Sequence, residues 1–156
     1  MNKTDQTVEK VNLKDANQAL IELLANIVWV EESQLKSGPF SALTVKDVHT
    51  IYAISMYEKK TASQVAKAVH LSPSAMTTAI DRLVEKGYVV RRRSEADRRV
   101  VYLGLTHHGR VLFRAHRAFH LKLTKAMFTG FSDEAADILE KALQNLRKYL
   151  QDLLAD

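Results

Sequence analysis

Five arginines stand within nine residues: Arg91, Arg92, Arg93, Arg98 and Arg99, divided by the polar turn Ser94-Glu95-Ala96-Asp97. Guanidinium groups at this density are suited to phosphate, which their planar fork of donors grips in pairs. Asp97, two residues before Arg99, is placed to pair with it and hold it in one orientation. Just upstream, Ser74, Thr77, Thr78, Asp81 and Arg82 share one side of a predicted helix. Small hydroxyls on an outer helix face allow it to enter a duplex major groove without steric bulk. Between Arg82 and Arg117 there are ten Lys/Arg against three Asp/Glu, on a chain whose net charge is only +5. The positive block therefore sits on an otherwise slightly acidic chain. That is the footprint of a phosphate-backbone binder, and it also suits an acidic protein partner.

A second constellation offers different chemistry. His116 and His120 are four residues apart, the spacing at which two imidazoles on one helix face share a metal ion. His49 and Glu31 or Glu32 would complete a four-ligand nitrogen/oxygen site. The plainer reading is a buried His–Glu hydrogen-bond network, with His49 a core or interface histidine and the glutamates at a solvated helix end. Enzyme chemistry has no such support. The chain contains no cysteine, no glycine-rich phosphate loop and no Ser-His-Asp order tied to a sharp turn. Residues 1–12, MNKTDQTVEKVN, carry no apolar leader, and no run approaches the ~18 residues of a membrane span. A cytoplasmic protein that does not engage a membrane is expected.

The elements that position these groups follow from periodicity. At 156 residues and 46% hydrophobic content, one domain with a real core is expected, and five glycines with two prolines predict a mostly helical chain. Ala16, Leu20, Leu23, Leu24, Ile27, Val28 and Leu35 predict a first helix over 12–36. Trp29 and Val30 widen its apolar surface as at a dimer seam. The break 37–41 (SGPFS) precedes a second helix opening at Thr44, with Asp47 in a capping-box position, and ending near Glu58. Thr61 with Gln64 opens a third helix, and His70-Leu71 connects it to the fourth. Ser72 as N-cap, Pro73 at the first position, the Leu71/Met76 staple and Gly87 at the end delimit that helix over 72–86. Met76, Ala79, Ile80 and Leu83 form its apolar stripe. Two short helices so joined make a helix-turn-helix. The runs Tyr88-Val89-Val90 and 98–103 flank the arginine-rich tip as a hairpin, a wing of two strands able to reach phosphates or the minor groove. Thr106 caps a fifth helix running to about Thr129, and Ser132 caps a sixth. In the last, Leu139, Leu143, Leu146, Leu150 and Leu153 step 4-3-4-3 as a heptad seam that suits packing against the first helix of a second subunit.

Residues 94–110, SEADRRVVYLGLTHHGR, resemble the MarR family of winged helix-turn-helix regulators in the Asp-x-Arg of the wing and the Leu-Thr-x-x-Gly that opens the next helix. Residues 30–32 (VEE), 45–51 (VKDVHTI), 93–106 and 113–120 (FRAHRAFH) are similar to FabT-type repressors of bacterial fatty-acid synthesis genes. The resemblance implies a mostly α fold of six helices with a two-stranded wing, in an obligate homodimer. Residues 1–40 and 106–156 would form the helical dimerisation region and 41–105 the winged DNA-binding region of one continuous domain. It implies an inverted-repeat operator, with Ser72, Ser74, Ala75, Thr77, Thr78 and Arg82 facing bases and phosphates. Asp97 would orient Arg99 for the minor groove, with Arg91, Arg93 and Arg98 on the backbone. The FabT type implies long-chain acyl-acyl carrier protein as co-repressor, no metal cofactor, and an acyl tunnel lined by Leu24, Ile27, Val28, Ile51, Ile54 and Phe113. Arg110, Arg114 and Arg117 would suit the acidic carrier. The alternative within the family is a zinc-responsive repressor of metal uptake genes using Glu31, His49, His116 and His120.

Overall fold

The computed structural model of the chain describes residues 12–154. Among them lie α1 (Leu13–Ser37), α2 (Val45–Ile54), β1 (Lys60–Thr61), α3 (Ala62–Ala68), α4 (Pro73–Glu85), β2 (Val89–Arg93), β3 (Val101–Leu105), α5 (His107–Phe128) and α6 (Asp133–Leu153). The chain divides into two compact units after Arg114, so α1 groups with the winged region.

In the first unit every helix start is fixed by local chemistry. Thr44 and Asp47 form a full capping box on α2, and Thr61 with Gln64 does the same on α3. Ser72 accepts the Ala75 N–H at the start of α4. The core is one cluster. Val48, Ile51 and Ile54 of α2 meet Val65 and Ala66 of α3, Met76, Ile80 and Leu83 of α4, and Leu112 and Phe113 of α5, with Val89, Leu103 and Leu105 closing it from the strands. Full burial of each large side chain contributes about 1.5–3 kcal/mol.

The wing differs from the expected two strands. It is a three-stranded antiparallel sheet in the order β1-β3-β2, in which Lys60 pairs with Leu103 and Thr61 with Tyr102. A two-residue strand is too short to show a period of two, and its partner lies some forty residues away. Helix α2 also stops at Ile54 rather than near Glu58. Ser55 leaves the helix with φ 68° and ψ 154°, and Lys60 Nζ donates to the Ala53 carbonyl at 3.0 Å.

The junction from α4 into the sheet and α5 is tightly specified. Gly87 takes φ +78°, which lets its N–H bond the Val84 carbonyl while the Tyr88 N–H bonds that of Leu83. This closes the helix in a Schellman motif. Thr106 donates its hydroxyl to the Gly87 carbonyl at 2.7 Å and accepts the Gly109 N–H at 3.1 Å. Gly109 is buried, and a Cβ there would lie 2.2 Å from the Tyr88 carbonyl oxygen. The Leu-Thr-x-x-Gly sequence thus ties strand, helix end and helix start into one joint.

In the second unit, Ser132 accepts the Ala135 N–H to open α6. That helix buries no residue. Leu143, Leu146, Leu150 and Leu153 are all exposed along its seam.

Gly109→Ala should destabilise the fold by about 1–3 kcal/mol, because the clash is with backbone and only a shift of α5 against Tyr88 relieves it. Thermal unfolding followed by circular dichroism measures the loss.

Candidate nucleic-acid interface

The neutral reading face is built on the first two turns of α4. Ser72, Ser74, Ala75, Thr77 and Thr78 are all exposed, while Met76, Ala79, Ile80 and Leu83 anchor the opposite side in the core. Thr77 Oγ1 donates to the Pro73 carbonyl at 3.0 Å and Thr78 Oγ1 to that of Ser74 at 3.2 Å. Each hydroxyl therefore turns its proton inward and presents acceptor lone pairs and a methyl group outward. A major groove offers amino donors on adenine and cytosine and the methyl of thymine as complements.

Two carboxylates hold this helix. Asp47, only 1% exposed, sits at the start of α2. One oxygen accepts the Thr44 backbone N–H at 3.0 Å and lies 3.5 Å from Lys86 Nζ; the other accepts from Arg82 Nη2. Lys86 Nζ also donates to the Ala42 carbonyl at 2.6 Å. Burial pushes the Asp47 carboxyl upward, yet the Thr44 N–H, the Arg82 guanidinium and the Lys86 ammonium together hold it below its ordinary value. On the wing side of α4, Asp81 Oδ1 accepts from Arg91 Nη2 at 2.6 Å. Arg82 and Arg91, expected from the sequence to touch DNA, are thus both engaged by carboxylates within the protein. The sequence showed Asp47 only as a cap and gave no role to Lys86. Both contacts cross between elements far apart in the chain, so no local spacing announces them.

The wing tip carries the unengaged cations. Among the described residues Arg92, Arg93, Arg98 and Arg99 form no ion pair with a carboxylate, and all four are exposed. The tip is held by the Ser94 N–H on the Val100 carbonyl and the Val100 N–H on the Asp97 carbonyl, both at 2.9 Å. Asp97 differs from its expected role: its carboxylate accepts the backbone N–H of Arg99 at 2.9 Å. It shapes the turn that carries Arg99, leaving the guanidinium outside.

Ile51, Ile54 and Phe113 are 0%, 0% and 4% exposed in the closed core, and Phe113 stacks on Tyr52 with centroids 4.9 Å apart. Leu24 and Val28 are exposed on α1, and Ile27 is half-buried there. Arg110 donates to the Leu105 carbonyl at 2.9 Å. Within the first unit His49 Nε2 lies 3.4 Å from a Glu31 carboxylate oxygen. Within the second, the His116 and His120 rings meet edge-on at 4.4 Å.

A slim helix with an arginine-tipped hairpin beside it matches known proteins. Residues 43–101 match the model of the MarR family. FabT from Streptococcus pneumoniae, solved in complex with DNA, is 36% identical, with 91% of this chain and 99% of that one covered at a TM-score of 0.82. The chain belongs to the MarR family of DNA-binding transcriptional regulators. Among curated relatives from Bacillus subtilis (strain 168), the uncharacterized HTH-type transcriptional regulator YfiV is 34% identical over 55% of this chain, and the HTH-type transcriptional repressor MdtR is 27% identical over 65%. The matches span 58% and 68% of those proteins' own lengths. These relatives are regulators and not enzymes. No helix among the described residues is long and apolar enough to cross a membrane.

Asp47→Asn should cost on the order of 1–3 kcal/mol, since Arg82 is half exposed and recovers hydration when released. The depressed carboxyl contributes stability above the unfolded value of 3.8 and loses it as pH falls through the lower folded value. The gap between wild type and variant in denaturant melts should therefore be full at neutral pH and close below about pH 4. Arg99→Ala should weaken duplex binding by roughly 1–3 kcal/mol with an unchanged circular dichroism spectrum, as read by fluorescence anisotropy.

Proposed function

We propose that the protein is a homodimeric repressor of fatty-acid synthesis genes, binding an inverted-repeat operator with long-chain acyl-acyl carrier protein as co-repressor. The observation that carries this reading is the likeness to Streptococcus pneumoniae FabT over nearly the whole of both chains. The dimer is supported by two apolar surfaces that water alone would leave costly. Leu20, Leu23, Leu24 and Trp29 are exposed on α1, and Leu143, Leu146, Leu150 and Leu153 on α6. A second copy covers such faces, and two-fold symmetry then repeats the reading helix and wing at the spacing of a palindrome.

Helix α2 links effector to DNA in this reading. Ile51 and Ile54 of α2 lie in the closed core with Phe113, so an acyl chain that reaches them must open it. The same helix carries Asp47 at its start, and Asp47 holds Arg82 of α4. Displacing α2 would therefore move the anchor of the reading helix. A second reading keeps zinc as effector. It is favoured by the one-turn pairing of His116 with His120 and by the closeness of His49 to Glu31.

Operator DNA selected from a genomic pool, titrated with the protein alone, with unloaded carrier and with long-chain acyl carrier, tests both. Acyl carrier should tighten binding about tenfold, within the usual 1–3 kcal/mol of allosteric coupling, while unloaded carrier should not. Equal affinity in all three would end the acyl reading, and tightening by micromolar zinc alone would establish the second.

A further inference from the structure

We propose that Asp81 is an affinity-limiting residue: its carboxylate holds the Arg91 guanidinium against α4 and withholds that cation from the phosphate backbone, setting a ceiling on sequence-independent DNA binding. The inference rests on the chain's binding of DNA and is independent of which effector controls it.

The geometry is specific. Arg91 Nη2 lies 2.6 Å from Asp81 Oδ1, across ten residues of sequence, from the base of the wing to the outer side of α4. Both partners are substantially open to solvent, the Arg91 side chain at 41% and that of Asp81 at 59%. Arg91 is thus not sealed into the core, and a released guanidinium can reach a phosphate. Asp81 itself stands on the exposed surface of the reading helix, where a bare carboxylate would repel DNA. Pairing removes that repulsion and one attraction together. Its neighbour Arg82 is likewise neutralised, by Asp47. The first two turns of α4 carry no ionisable residue, and Arg92, Arg93, Arg98 and Arg99, which form no ion pair among the described residues, stand on the distal half of the wing.

The consequence follows from the physics of phosphate contacts. They carry no sequence information, and each releases a condensed counterion whatever the sequence. A regulator that binds every duplex tightly leaves an effector nothing to change, because an effector shifts an equilibrium only by its differential affinity for the states that are populated. Holding one arginine back keeps the basal equilibrium within reach of control.

The test uses the full-length protein and a random-sequence duplex, titrated by anisotropy across a potassium chloride series. Asp81→Asn should tighten binding several-fold at low salt. It should also steepen the slope of log K against log salt by about 0.9, the signature of one added phosphate contact. The double variant Asp81→Asn/Arg91→Gln should return to the wild-type slope. Glu85→Gln, which removes an exposed carboxylate of the same helix that forms no ion pair among the described residues, should leave the slope unchanged. Asp81→Ser repeats the measurement with a smaller neutral side chain, and melting curves confirm that all variants fold. The proposal is overturned by an unchanged or shallower slope in Asp81→Asn. A double variant that stays steep, or an equal steepening in Glu85→Gln, overturns it as well, because either reports only a generic gain of charge.

Discussion

The buried carboxylate of Asp47 is the contact on which the reading helix depends. It accepts the first free N–H of its own helix, and it is the counter-ion for Arg82 and Lys86 of α4. A carboxylate so enclosed is tolerable only while every partner is in place, since burial penalises the charge that the three donors stabilise. The consequence is geometric. The start of α2 and the second half of α4 cannot move independently without exposing an unpaired charge. The apolar core alone, being non-directional, would let α4 slide or roll by small amounts at little cost.

At its other end α4 is fixed by backbone. Gly87 turns the chain left-handed, Thr106 bonds back to it, and Gly109 admits the Tyr88 carbonyl at a distance no side chain would allow. Strands β2 and β3 therefore leave the helix in a set direction. The charges then divide along the hairpin: the guanidinium at its base is neutralised on Asp81, and those beyond form no ion pair among the described residues. A rigid uncharged reading face, with cations concentrated at the far end of a lever, separates the groups that read sequence from those that supply affinity.

The same core carries the route by which an effector could act. Ile51 and Ile54 are fully buried one and two turns beyond Asp47 on α2. Packed interiors respond to insertion by shifting whole elements, because they contain few voids that could absorb it. In the proposed reading, a ligand that entered beside these residues would be felt at Arg82 without any contact of its own to α4.

Much of the fold was legible in the chain. The capping boxes at Thr44 and Thr61, the Ser72-Pro73 start and Gly87 end of α4, and its stripe Met76, Ala79, Ile80 and Leu83 are local signals, and all occur as read. They are legible because helix caps and helical periodicity are set within four residues of each other. The neutral hydroxyl face and the arginine tip were legible for the same reason. What the tertiary structure decided was which charges are spent inside the protein. Arg82 lies 35 residues from Asp47 in the chain and Arg91 lies ten from Asp81. Asp97 turned its carboxylate to a backbone N–H instead of a side chain, and strand β1 found its partner across the helix-turn-helix. A charge carries no label of its partner. The pairing is selected only when folding brings the groups within a few ångströms of each other, and it acquires most energetic weight where burial lowers the local polarisability, as at Asp47.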